Sequence, residues 1–271
     1  MTRPIPSLFV SHGTPFQALD GAPGTAFWAR LGARLPRPCA ILCISAHWET
    51  PAPTVSSADP VPAIHDFYGF PDELYRVGYA ARGAPDLARR VQDLLRGAGI
   101  ACTANEDYGL DHGAWVPLKA AYPLADIPVT QLSIQQHLGP AHHLRLGAAL
   151  AGLPAEGVLV LGSGSITHNL GDFMRWMRAG QNQHEAPADW ASSFDDWVAA
   201  TLGSGDYDGL CGYRDRAPGA TMAHPRDDHF LPLLAAAGAG GSTPGRRINA
   251  GFMYGNLSVA AYAFGDGADE L

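Results

Sequence analysis

Short apolar runs rich in branched residues alternate along this chain with amphipathic stretches of helical length. Leu8 to Val10 is a brief buried run that stops at Ser11-His12-Gly13. From Thr25 to Leu35, Phe27, Leu31 and Leu35 recur every four residues, the spacing of a helix with one apolar face. Cys39 to Ser45 reads as a fully buried strand ending at Ala46-His47-Trp48, and the Pro-, Ser- and Asp-rich segment from Pro51 to Pro71 reads mostly as loop. Pro85 to Gly97 is a helix with Pro at its start, Leu87, Val91, Leu94 and Leu95 on one face and Gly at its end. A short strand is expected at Ile100 to Thr103, then a loop carrying Asp111-His112-Gly113, then a helix from Ala114 to Tyr122 with Pro117 in its first turn. Val129 to Ile134 and Val158 to Leu161 have strand character; Ala141 to Leu150, Ala188 to Leu202 and the stretch after Asp228 have helical character. Asn256 to Phe264 closes the series as a last strand. Strand then helix, repeated, predicts one α/β domain over residues 1–271, with a central mixed, mainly parallel sheet flanked by helices on both faces.

Composition narrows the function classes. With 46% apolar and 16% charged residues, burial can outweigh the entropy of ordering the chain. The 18 basic and 26 acidic residues give a formal charge of −8, and no Lys/Arg cluster is placed to neutralise a phosphate backbone, so nucleic acid is a poor partner. No stretch approaches the roughly 20 apolar residues that span a bilayer. The first residues lack the apolar core of a signal peptide, so a cytoplasmic location is expected. Cys39, Cys43, Cys102 and Cys211 have no zinc-ribbon or Cys-x-x-Cys spacing and read as buried free thiols.

The eleven histidines change the picture. Three strand-like runs lead into histidine, at His12, His47 and His168, and in open α/β sheets ligands gather beyond the carboxyl ends of the strands. Three strands can thus deliver three imidazoles to one place, and His224 and His229 in His-Pro-Arg-Asp-Asp-His offer a fourth source. Imidazole suits iron, copper, nickel and zinc, whereas magnesium and calcium prefer oxygen. Gly162-Ser163-Gly164 lacks the third glycine of a dinucleotide fingerprint, and neither Ser163 nor Ser165 lies in a Gly-x-Ser-x-Gly elbow. His137, His142, His143 and His184 read as solvent-facing, and Trp176, Trp190 and Trp197 as packing residues.

Seven segments, in order, carry a resemblance. They are Ser-His-Gly-Thr-Pro at 11–15, Ser-Ala-His-Trp at 45–48, Ile-His-Asp-Phe-Tyr-Gly-Phe-Pro at 64–71 and Leu-Asp-His-Gly-Ala-Trp at 110–115. They continue with Pro-Val-Thr-Gln-Leu-Ser-Ile at 128–134, Gly-Ser-Gly-Ser-Ile-Thr-His-Asn-Leu at 162–170 and His-Pro-Arg-Asp-Asp-His-Phe-Leu-Pro-Leu at 224–233. The chain resembles the DODA-type class III extradiol ring-cleavage dioxygenases, the 4,5-DOPA dioxygenase branch of the LigB-like superfamily. The resemblance implies a LigB-like fold, iron(II), a DOPA-like or other substituted catechol, and dioxygen. It implies His12 and His47 as metal ligands and His229 as the third, where the wider superfamily places a carboxylate. His168 would lie at or beside the metal as a fourth ligand or a base, with His112 as second acid–base residue. An all-imidazole site carries one negative charge fewer and also suits zinc.

Chemically, three ligands on one face leave room for a chelating catechol and for oxygen. A neutral imidazole with an unperturbed pKa of about 6.5 can accept a catechol proton. His65, Asp66, Tyr68 and His224 are expected to wall the substrate pocket or orient a ligand imidazole. Asp227 and Asp228 read first as the cap and first-turn acid of the following helix, and second as partners that orient a ligand imidazole. Arg226 and Arg76 are the candidates for a substrate carboxylate. Two rivals compete: a zinc-dependent hydrolase, and a non-enzymatic binding protein like the Memo relatives of the superfamily. Oligomeric state is open.

Overall fold

A strand with apolar side chains pointing both ways must be covered on both faces, and this governs the architecture of the computed structural model. It describes residues 4–19, 21–22, 24–180 and 186–271, so His184 lies outside the described residues. The strands are β1 (Ser7–Ser11), β2 (Ala40–Glu49), β3 (Thr54–Ser56), β4 (Thr103–Asn105), β5 (Val129–Ile134), β6 (Val158–Gly164), β7 (Arg246–Asn249), β8 (Phe252–Met253), β9 (Leu257–Ser258) and β10 (Ala261–Phe264). Eight of them form one sheet in the order β4-β3-β5-β2-β6-β1-β10-β7, while β8 and β9 pair separately. The central strands β5, β2, β6 and β1 are mutually parallel; β10 and β7 are antiparallel additions at one edge. The mixed, mainly parallel α/β sheet expected from the pattern is what forms.

The helices are α1 (Thr25–Arg34), α2 (Pro85–Gly97), α3 (His112–Ala121), α4 (Gly139–Ala149), α5 (Leu170–Arg178), α6 (Asp189–Ser204), the short α7 (Tyr207–Cys211), α8 (Tyr213–Arg216) and α9 (Ala220–Ala223), and α10 (Leu231–Ala239). The two-residue period of β2 sorts the core. Ile41 and Cys43 pack on one face with Trp28, Leu31, Trp115 and Leu118 of α1 and α3. Leu42 and Ile44 pack on the other with α2, α4 and α10. Helix α10 is buried all round, which is why its sequence is apolar without an amphipathic stripe.

Several boundaries differ from expectation. The strand β3 lies inside the segment read as loop: Val55 and Ser56 are buried, but three residues between prolines are too few to display a period. The short strand expected at 100–103 sits at Thr103–Asn105, where it can pair with β3. Helix α3 begins at His112 because the Asp111 side chain caps it, accepting the Ala114 N–H at 3.2 Å. Pro117 is therefore in the interior, not the first turn. The expected last strand is divided into β9 and β10, because the Val259 N–H turns away to the Gly251 carbonyl at 3.0 Å. Neither α5, capped by Asn169, nor β7 was foreseen. Of the free thiols, Cys43 alone is buried; Cys39 is exposed, and Cys102 and Cys211 are half-buried.

His143 is the clearest correction among the histidines: it is fully buried rather than solvent-facing. Its Nδ1–H donates to the Gly139 carbonyl at 2.8 Å and its Nε2 accepts the Gln135 N–H at 3.1 Å. A protonated ring would set an N–H against an N–H. Burial accordingly pushes its pKa down to about 4. A base depressed in the folded state contributes stability that is present above its unfolded pKa and lost as pH falls through the folded one. Stability is thus expected to drop by about 3 kcal/mol between roughly pH 6.5 and 4 on account of this group. Urea unfolding at several pH values should show a shallower acid decline in His143→Gln than in the wild type; equal declines would refute the assignment.

Candidate metal centre

Three adjacent parallel strands bring the expected imidazoles together. His12 follows the last residue of β1, His47 lies near the end of β2, and His168 follows the loop after β6. His229 comes from the turn just before α10, its carbonyl accepting the Ser165 N–H beyond the end of β6. The rings of His12, His47 and His229 form a nearly equilateral triangle, with centroids 4.9, 5.3 and 4.9 Å apart. One nitrogen from each lies within 4.8 Å of the others.

Each Nδ1 has an oxygen partner. That of His12 lies 2.9 Å from Ser163 Oγ, that of His229 2.9 Å from Asp228 Oδ1, and that of His47 3.4 Å from Asp66 Oδ2. This leaves the Nε2 atoms to face inward. Those of His12 and His47 are 3.1 Å apart. Two lone pairs at that separation repel unless a proton or metal cation lies between them. The Nε2 of His229 is buried with no hydrogen-bond partner among the described residues, an orphan of the kind a ligand satisfies. Burial, reinforced by the neighbouring imidazoles, lowers the pKa of all three well below the ordinary histidine value. They are neutral near neutral pH, the state that ligates. The donor set fits a divalent transition metal.

Backbone contacts fix this arrangement. The His12 N–H donates to the Gly164 carbonyl at 3.0 Å, and the next residue, Ser165, donates its N–H to the His229 carbonyl at 3.0 Å. Gly164 permits the approach: a Cβ there would lie 2.2 Å from the His229 carbonyl oxygen. Gly113 does the same at the start of α3, where a Cβ would lie 2.5 Å from Ser45 Oγ and 3.0 Å from His47 Cδ2.

Two further imidazoles flank the triangle. His112 stands 3.9 Å from His47, centroid to centroid, and its Nδ1 is 3.0 Å from both carboxylate oxygens of Asp66. Asp66 also accepts the His112 backbone N–H at 2.9 Å. Burial works to raise the Asp66 carboxyl, but the His112 hydrogen bonds and the adjacent imidazoles outweigh it and hold it below the ordinary range. His168 stacks on His229, the rings 3.4 Å apart and 9° from parallel. Burial lowers its pKa below the usual value.

The remaining expected residues sit further out. His65 donates Nε2–H to the Val77 carbonyl at 2.8 Å and packs against Phe67 and Trp115, so it braces the loop that supplies Asp66. Tyr68 is 90% exposed. His224 is buried among Phe194, Tyr213 and Phe230 and donates to the Ile166 carbonyl at 2.7 Å, two residues before His168. Arg226 pairs with Glu49 and Asp228 at 3.0 Å each. The cap reading of the acidic pair fails: Phe230 occupies the N-cap of α10, Asp228 serves His229, and Asp227 binds Tyr213 and Arg214. Sequence reasoning also missed Ser163, Ser45 and Asp111. The Ser45 hydroxyl donates to Asp111 at 2.6 Å. The available signal was a run of serines in line with buried strand positions, where an unpaired hydroxyl would be costly.

Comparison with known proteins places the chain as a whole in a family. Residues 7–265 match the family model of the catalytic LigB subunit of aromatic ring-opening dioxygenase. The chain is 43% identical over 263 residues to a 4,5-DOPA dioxygenase extradiol of Beta vulgaris, covering 95% of this chain and 96% of that one. It is 39% identical over 266 residues to the protein of the same name from Escherichia coli K12, covering 96% and 95%. The crystal structure of an uncharacterized Escherichia coli K12 protein matches with a TM-score of 0.80 at 35% identity, over 96% of this chain and 100% of that one. Among the described residues no helix is long and apolar enough to cross a membrane. By sequence over nearly its whole length, and by fold, the chain belongs to the LigB family of aromatic ring-opening dioxygenases.

Proposed function

We propose that the chain is an iron(II)-dependent extradiol dioxygenase acting on DOPA-like catechols in the cytoplasm, with His12, His47 and His229 as metal ligands. The observation that carries this reading is the orphaned, buried Nε2 of His229 facing two other inward-directed imidazole nitrogens. The names of the Beta vulgaris and Escherichia coli relatives support a DOPA-like substrate, and four free thiols support a reducing compartment. Bound iron(II) supplies Lewis acidity that favours catechol ionisation and the redox capacity to use dioxygen.

The protein's own groups move protons and hold positions. His168 serves as base rather than as a fourth ligand. An imidazole ligates in its own plane, and ring planes stacked 3.4 Å apart do not meet at one ion beside His229. Its depressed pKa keeps it unprotonated and able to accept a catechol proton at Nε2 or Nδ1. Asp66 holds His112 with Nδ1–H toward the carboxylate, so Nε2 is the atom that takes or gives a proton. The tight Phe67 edge against His112 helps exclude water on that side.

After anaerobic loading with iron(II), the protein is expected to consume one dioxygen per catechol and form a yellow semialdehyde. An oxygen electrode over a catechol panel, read beside the visible spectrum, checks this. Turnover with zinc under anaerobic conditions, without oxygen uptake, would instead support a hydrolase.

A further inference from the structure

Ser163 lies at a point where one hydroxyl must serve two partners, and its single proton decides what each can be. Its Oγ–H donates to the carbonyl of Gly113 in the first turn of α3, and the same oxygen lies 2.9 Å from His12 Nδ1. The Gly113 carbonyl needs a donor for a definite reason. In an α-helix it would receive the N–H of residue 117, but that residue is proline, well inside the helix. Proline has no N–H, and its ring crowds the carbonyl four residues back and tilts it outward. Ser163 is fully buried, so water is not the natural substitute. On β6 it continues the alternate positions of Leu159 and Leu161, which face the α1–α3 side of the core.

A carbonyl oxygen can only accept, so the serine proton is committed to Gly113. Toward His12 the hydroxyl can then act only as acceptor, and the proton between them must sit on His12 Nδ1. Resting on the reading of His12 as a metal ligand, we infer that Ser163 is a positioning residue for the metal centre. Pro117 vacates the Gly113 carbonyl, that carbonyl orients the Ser163 hydroxyl, and the hydroxyl fixes His12 as the Nδ1–H tautomer with Nε2 unprotonated and inward. The same relay ties His12 to the helix that begins with His112, so ligand and acid–base residue share one anchor.

Two measurements test this. Long-range proton–nitrogen NMR of the metal-free wild type, with labelled histidine, is expected to show His12 protonated at Nδ1; protonation at Nε2 overturns the inference. This readout does not depend on metal binding, so it still stands if the protein proves to bind no metal. Competition with a chromophoric chelator for cobalt(II) is expected to show Ser163→Ala binding about 10- to 100-fold more weakly than wild type, with an altered visible cobalt spectrum. Ser163→Cys, which keeps a weak donor and acceptor, should recover part of the loss. A Ser163→Ala affinity within about twofold of wild type, with an unchanged cobalt spectrum, also overturns it. Should the alanine variant not fold, the wild-type tautomer alone decides.

Discussion

The His229→Ala variant is expected to lose catechol-dependent oxygen uptake and to bind divalent metal at least about 100-fold more weakly than wild type. Structural zinc in zinc-finger peptides is held with roughly 10–16 kcal/mol by four ligands, so one ligand of a small set accounts for several kcal/mol, and about 3 kcal/mol is a factor of 100. The loss should be specific. Asp228, freed from the ring, keeps its ion pair with Arg226, so the substitution leaves no uncompensated buried charge. Calorimetric titration of iron(II) under anaerobic conditions, with thermal unfolding as a control on the fold, measures it. Wild-type affinity at full stoichiometry would remove His229 from the ligand set and with it the proposed centre.

Asp66→Asn should separate proton handling from metal binding. The carboxylate accepts both the His112 backbone N–H and its Nδ1–H. Both bonds reach Oδ1, which an asparagine oxygen can replace, but the amide then puts an NH₂ where Oδ2 stood, 3.0 Å from Nδ1. Facing Nδ1, that NH₂ favours the opposite tautomer and places a proton on Nε2, where His112 is proposed to act. The expected result is a fall in kcat of about 10²- to 10⁴-fold, the range for losing a positioned acid–base group. Metal affinity should fall only about 10-fold, because Asp66 reaches the His47 ring at the longer distance of 3.4 Å. A kcat within threefold of wild type would exclude the dyad from catalysis.

Long apolar runs announced themselves in the sequence. The strands β5 and β6 and the helix α2 stand where their patterns place them, the strands because they are buried on both faces and the helix because one face of it is buried at helical spacing. The convergence at His12, His47 and His168 was legible for the same reason, since parallel strands of one sheet end on one side. Short or bridging elements were not legible. Thr54–Ser56 is too brief to show a period, and β7 is held by its partner strand. Asp228 was hidden by its resemblance to a helix cap, a local reading that a contact with its neighbour's ring overrode. His143 was assigned to solvent because an isolated polar residue carries no trace of the two backbone groups that bury it. Ser163 is the hardest case, since its partners lie 50 and 151 residues away in the chain.

The clamp at Gly164 and Ser165 has a wider consequence. The backbones of His12 and His229 are hydrogen-bonded to the C=O and the N–H of one peptide group at the end of β6, so their spacing follows from bond lengths and ladder geometry rather than from the flexing of surface loops. Gathering the donors is finished once the sheet has closed, and an arriving ion meets a cradle already shaped. Little ordering free energy is then subtracted from its affinity, and the ion can leave and return while the scaffold stays folded.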